Sequence, residues 1–328
     1  MAAGAPTLSA AVQQLAAADF SALAQRFGEA GFTVAQPAPG IITLAAPGLA
    51  ARPSVLVSVG VHGDETGPIE MLAQVLDRLA PASLAVDLMV CVGNIDAIAQ
   101  GRRFIDADLN RMFRAQRGAL ATMAEAARAD VLSAATTAFF AGAGPQRWHL
   151  DLHTAIRPSV YPTFAVVPEL LADGPKAQLL HWLGQAGIGA VILNPQSAGT
   201  YSYYTAEHHG ARASTVELGR VGVLGENDLS LFADVAAALD GLLRGLPAAA
   251  AVHPHVFTVA QEIVKRSDAF SMAFGRETEN FTALEAGALI ATDGDTRWHV
   301  GAQPERVVFP NPDVRVGLRA GLMVVRTA

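Results

Sequence analysis

Residues 54–61 read SVLVSVGV, a valine-rich apolar run, and the chain turns at once through a glycine-bounded HGDE. A run this short, this β-branched and bounded by glycine predicts a strand over Val55–Val59. The end of that strand delivers His62 and Glu65 together. A helix is expected next, Thr66–Leu79, with Pro68 at its start where a missing N–H costs nothing. From here on, short β-branched runs alternate with Ala- and Leu-rich helical stretches, the pattern of an α/β sheet covered by helices. Strands are expected at Val86–Val92, Arg147–Leu152, Thr163–Val167, Ala190–Leu193 and Ser214–Leu218. Helices are expected at Leu120–Phe140, Lys176–Gln185 and Asn227–Leu243.

The flanking segments are simpler. Leu8–Gly28 has helix-compatible composition, and Pro37–Gly48 reads as turn, strand and turn. Residues 245–254, GLPAAAAVHP, carry two prolines and no periodicity, and mark a boundary between a body, residues 1–248, and a tail, residues 249–328. The tail holds only short strand-like runs split by Gly, Asp, Asn and Pro, as in a small all-β domain.

Composition excludes several functions. With 51% hydrophobic and 16% charged residues the chain can bury a large core. A net charge of -7 and scattered arginines offer no basic field to nucleic acid. No stretch approaches the roughly 20 apolar residues that span a bilayer. The first residues lack the basic start and compact apolar block of a secretory signal, so a cytoplasmic location is expected. The single cysteine, Cys91, lies in the apolar run VDLMVCV, has no partner for an internal disulfide, and is expected in the core.

An imidazole and a carboxylate three apart, just past a strand end, can turn toward one point, and nitrogen with oxygen donors suits zinc. A third ligand is needed, and His153 in DLHT, directly after the strand RWHLDL, supplies it. Ligands gather at the carboxyl ends of strands in open α/β sheets. Asp151 can accept the outer N–H of a ligand histidine and fix its tautomer. His149 shares that strand face but lies deeper, and is read as structural.

A metal hydrolase also needs a base, and Glu217 in STVELG ends an otherwise apolar strand, where a carboxylate that merely filled space would be expensive. The competing reading pairs Glu217 with Arg212 or Arg220. Between the ligand segments lies GRRFIDADLNRMF, residues 101–113, in which Arg102, Arg103, Asn110 and Arg111 gather groups that hold carboxylates or a developing oxyanion. A small anionic substrate is implied. The structural alternative is a surface turn in which these arginines pair with Asp106 and Asp108.

Five segments in order, HGDE, GNIDAIAQGRRFIDADLNRMF, WHLDLHTAIR, STVELG and FPNPDVRVGLRAGLM, give the stretch from Pro53 onward a resemblance to the succinylglutamate desuccinylase/aspartoacylase family, related to the zinc carboxypeptidases. The resemblance implies a carboxypeptidase-like mixed β-sheet flanked by helices, followed by a small C-terminal all-β domain. It implies one zinc ion per subunit held by His62, Glu65 and His153, with Glu217 as acid and base. Arg103 would polarise the scissile carbonyl, and Asn110 and Arg111 would grip a substrate carboxylate. The implied reaction is hydrolysis of N-succinyl-L-glutamate, closing the succinyl-transfer route of arginine breakdown; an aspartoacylase-like deacylase of another N-acyl amino acid is the alternative. A substrate with three carboxylates needs a second clamp, for which Arg157 and Arg102 are the candidates. The C-terminal domain is expected to narrow access to the site. A degenerate scaffold that only binds zinc or senses a ligand is the remaining reading, and Glu217 argues against it. The oligomeric state stays open, with a homodimer as one arrangement.

Overall fold

The computed structural model describes residues 8–48, 52–247, 251–275 and 277–327, so the expected boundary between residues 248 and 249 lies outside the described residues. The strands are β1 (Thr33–Ala38), β2 (Ile41–Ala45), β3 (Ser54–Val59), β4 (Asp87–Val92), β5 (Arg147–Ala155), β6 (Thr163–Pro168), β7 (Ala190–Asn194), β8 (Arg212–Arg220), β9 (His255–Val264), β10 (Ser271–Met272), β11 (Thr282–Leu284), β12 (Leu289–Asp293), β13 (Thr296–His299), β14 (Glu305–Val308) and β15 (Arg319–Arg326). The helices are α1 (Ala10–Ala16), α2 (Ser21–Glu29), α3 (Gly67–Arg78), α4 (Ile95–Ala99), α5 (Ala124–Ala141), α6 (Asp173–Gln185), α7 (Tyr201–His209) and α8 (Ala233–Leu243).

Among the described residues twelve strands form one mixed sheet in the order β1-β2-β4-β3-β5-β8-β6-β7-β9-β15-β14-β11, and β10, β12 and β13 form a second sheet. At its centre β4, β3, β5 and β8 run parallel. Every residue of β3 is buried, because helices cover both faces of a parallel sheet and leave no polar side. The same core takes in Val12, Leu15, Phe20 and Phe27, so the N-terminal helices pack on the body. Cys91 is fully buried there, and burial pushes its thiol up to about 12.

The tail is all β, as expected, yet it is not a detached sheet. β9 pairs in parallel with β7 and antiparallel with β15, which carries the main sheet on into the C-terminal strands. A second apolar cluster joins the two parts, with Phe164 and Ile192 of the body against Phe257, Phe281 and Leu322 of the tail.

Local detail goes beyond or departs from the expectations in four places. Leu8–Gly28 is two helices broken at Ala18, which has φ 55°. β1 is a strand despite Pro37, because at the sheet edge a missing N–H leaves no ladder bond unmade. α7 is not announced by the sequence because YSYYTAEHH has weak helix formers; Thr200 caps it by accepting from the Tyr203 N–H, and Gly210 ends it at φ 61°. β5 runs on to Ala155, so His153 sits inside the ladder rather than past its end, with Glu217 of β8 as its register partner.

Candidate functional site

The three central strands each deliver part of the site. After β3 the chain turns at Gly60, with φ 63°, and at Gly63, where an added Cβ would lie 2.3 Å from backbone atoms of Ala97 and Ile98. Only glycine lets the HGDE turn lie so close to that backbone, and the Gly63 N–H then donates to the Arg103 carbonyl at 3.1 Å. β5 presents His149, Asp151 and His153 to one face by its period of two, and β8 sets Glu217 beside His153.

His62, Glu65 and His153 converge, all three buried. His62 Nδ1 is 2.8 Å from Glu65 Oε1, His153 Nδ1 is 2.9 Å from Glu65 Oε2, and the two Nδ1 atoms are 3.2 Å apart. Two nitrogens held tetrahedrally by one zinc ion at its usual bond length stand about 3.4 Å apart. The donor set therefore fits zinc. The outer nitrogens are also satisfied: His62 Nε2 lies 2.9 Å from Asp108 Oδ1, and His153 Nε2 lies 2.9 Å from Asp151 Oδ2. Such outer carboxylates fix which ring nitrogen is left to bind a metal. The expected role of Asp151 matches this geometry, and Asp108, expected only as a partner for the arginines, takes the same role toward His62.

Each histidine thus lies between two acids. Burial works against protonation of His153, but Asp151 and Glu65 outweigh it and hold the imidazole well above its usual range. Burial and Arg103 oppose protonation of His62; Glu65 and Asp108 prevail, and it too is raised. Burial would raise Glu65, yet the two imidazoles hold it well below the carboxylate range. A cation is what this cluster favours. His149, by contrast, is pushed down to about 4 by burial and bonds Ser58 Oγ and Thr205 Oγ1, both at 2.8 Å, as a neutral structural residue.

Glu217 is 7% exposed, its Oε2 has no hydrogen-bond partner among the described residues, and burial together with the Glu65 charge pushes it up to about 7. It does not pair with Arg212, which instead donates to Gln178 Oε1 and the Pro145 carbonyl. Arg103 donates to Glu65 Oε1 at 2.7 Å, with its other nitrogen 3.3 Å from His62 Nε2. Asn110 is buried; its Oδ1 accepts from the Tyr201 N–H at 2.8 Å, and its Nδ2 lies 3.4 Å from His153 Nε2. Arg111 donates to the Asn110 carbonyl at 2.7 Å and stands 3.7 Å from Asp108 Oδ2.

These groups line one cavity of about 640 Å³, together with Arg157 and, from the tail, Arg315 and Arg319. The structure does not bring Arg102 there: its side chain is exposed, outside the cavity lining. Arg157 Nε donates to the Pro310 carbonyl at 2.5 Å, which ties the body to the segment that closes the cavity. The expected narrowing of the site by the tail is seen in that wall, but Arg315 and Arg319 were not singled out.

One further residue holds the arginine loop in place. Buried Glu125, in the first turn of α5, accepts from the backbone N–H groups of Ile105, Asp106 and Ala107 and from Asn94 Nδ2. Glu125→Ala strands those donors in the interior and is expected to cost about 3 kcal/mol. Glu125→Gln, which keeps one acceptor oxygen, is expected to cost roughly half as much. Chemical denaturation of the two variants checks the order.

A family model described as the succinylglutamate desuccinylase/aspartoacylase catalytic domain matches residues 51–243, and one described as the AstE/AspA barrel-sandwich hybrid domain matches residues 252–327. A protein named succinylglutamate desuccinylase from Burkholderia orbicola is 48% identical over 288 residues, 86% of this chain and 84% of its own. Among solved structures, succinylglutamate desuccinylase from Vibrio cholerae superposes with a TM-score of 0.85 at 34% identity, covering 91% of this chain and 88% of its own. The Chromobacterium violaceum succinylglutamate desuccinylase gives 0.78 at 36% identity, covering 91% and 92%.

Proposed function

Because the chain belongs to the succinylglutamate desuccinylase/aspartoacylase family, we propose that it hydrolyses N-succinyl-L-glutamate to succinate and L-glutamate with one zinc ion per subunit. The observation that carries this reading is Glu217, a buried carboxylate with an unpartnered oxygen beside the three converging donors, in an arginine-lined cavity.

His62 Nδ1, Glu65 and His153 Nδ1 would hold the zinc, which supplies a Lewis acid for the scissile carbonyl and makes water acidic enough to react near neutral pH. Glu217 accepts a proton from the attacking water and returns it to the amine of the departing glutamate. Arg103, already aligned by Glu65, faces the charge that develops on the carbonyl oxygen. Asn110 Nδ2 and Arg111 grip one substrate carboxylate, and Arg157 belongs to the clamp for another. Arg102 is dropped from that role on its exposure. The division into a zinc hydrolase body and a C-terminal β domain, a cytoplasmic location and a place in arginine breakdown belong to the same proposal. No helix among the described residues is long and apolar enough to cross a membrane.

Metal analysis paired with product-release assays on succinylglutamate, succinylarginine and acetylaspartate tests the reading. The purified protein is expected to hold one zinc and to favour succinylglutamate by at least 100-fold in kcat/KM. Acetylaspartate as the best of the three would move the chain to the aspartoacylase side, and a metal-free active protein would remove the zinc from it.

A further inference from the structure

The carboxylate-gripping groups named above all come from the body, yet one wall of the cavity is the C-terminal segment that carries Arg315 and Arg319. The cavity arginines are engaged to different degrees. Arg103 is bound to Glu65, Arg157 donates to Pro310, and Arg315 reaches the Asp106 carbonyl at 3.5 Å. Arg319, at the first position of β15 opposite Val264 of β9, makes no ion pair and no side-chain hydrogen bond among the described residues. It is largely shielded from solvent. The charges it feels are Arg111, a like charge, and two acids: Glu262, which is exposed, and Asp108, which is already held by His62 and Arg111. Burial first, and Arg111 second, draw its guanidinium down to about 10, so it stays charged at neutral pH.

A shielded cation without a counter-ion is expensive, and two guanidiniums turned toward one volume compound the cost. A bound anion relieves both, and planar forks match a carboxylate in the bidentate manner. We propose that Arg319 is a specificity-determining residue which, with Arg111, forms a subsite for a substrate carboxylate remote from the scissile amide. The inference rests on the hydrolase reading above and adds to it a residue delivered by the C-terminal domain. The carboxylate comes from either the glutamate side chain or the succinyl end.

Two isosteric analogues separate those sources: N-succinyl-L-norvaline, which lacks the side-chain carboxylate, and N-butyryl-L-glutamate, which lacks the succinyl one. Arg319→Gln is expected to raise KM for succinylglutamate about 100-fold and to lower kcat much less. The wild-type penalty for one analogue should collapse to below fivefold in the variant while the other persists, and Arg319→Lys should recover part of the loss. An unchanged KM overturns the proposal. So does a penalty that survives for both analogues, or a fall in kcat shared by all three amides together with a lowered Tm. If the wild type does not cleave succinylglutamate at all, the hydrolase reading fails instead. Calorimetric titration of succinate and of L-glutamate into wild type and Arg319→Gln still decides the subsite, with at least tenfold weaker binding of one of the two expected in the variant and equal binding of both overturning it.

Discussion

Glu217→Gln is expected to lower kcat on succinylglutamate by about 10³-fold or more while the protein keeps its metal, since a positioned base contributes on the order of 10²–10⁴. The amide is nearly isosteric but cannot take a proton from water. The assignment stands on position: Glu217 faces His153 across the β5–β8 ladder, and its free Oε2 has no structural bond to lose. Stability gives an independent check. Because burial and Glu65 raise its folded pKa from 4.5 to about 7, the folded metal-free protein binds a proton there that the unfolded chain has released. Stability from this group therefore falls as pH rises from 4.5 to about 7 and is lost above it. Glu217→Gln should accordingly raise the Tm of the chelated protein at pH 8 and change it little near pH 4.5. Kinetics, metal content and the two melting curves check the assignment. Residual turnover above a few per cent, or loss of metal from the variant, would take the base role away from Glu217.

Much of this site was legible because its chemistry is coded locally. HGDE follows a valine-rich strand, DLHT and STVELG lie within two more, and the order of these short segments carries the family resemblance, so His62, Glu65, His153 and Glu217 are named from the sequence. What the sequence leaves open is which strands become neighbours. β3, β5 and β8 lie side by side although some 90 residues separate the first two, and that adjacency alone puts His62 Nδ1 3.2 Å from His153 Nδ1. Arg319 is hidden for the same reason, since nothing in RVGLRAGLM announces that β15 extends a sheet begun 286 residues earlier at Thr33. Arg102 and Arg103 show the opposite limit. Adjacent and identical, they differ only in which one faces the cavity, and that is set when Gly63 packs against Arg103's backbone. The aromatic helix α7 was missed because tertiary burial of Tyr201 overrides weak propensity.

His153→Ala is expected to remove the metal, abolish turnover and erase the response of the fold to chelation. This side chain joins the two halves of the site, with Nδ1 on Glu65 and Nε2 on Asp151. Without it, Asp151 is fully buried with Ser58 Oγ as its remaining partner at 2.6 Å, and removing one member of a buried ion pair costs about 3–5 kcal/mol. In the wild type a ligand present at 1,000 times its dissociation constant stabilises the folded state by about 4 kcal/mol, so a chelator should lower Tm by several degrees. The shift should grow with pH. Both ligand histidines have raised folded pKa values, so the stability they lend the metal-free protein is complete below about 6.5 and fades as pH climbs through those values. Metal binding must displace the same protons, and it strengthens over that range. Differential scanning fluorimetry with and without chelator at pH 6 and pH 8 should therefore give the larger gap at pH 8 for the wild type and none for His153→Ala. A variant that retained stoichiometric zinc, or a wild type whose Tm ignored the chelator, would disprove that these three side chains hold a structural and catalytic ion.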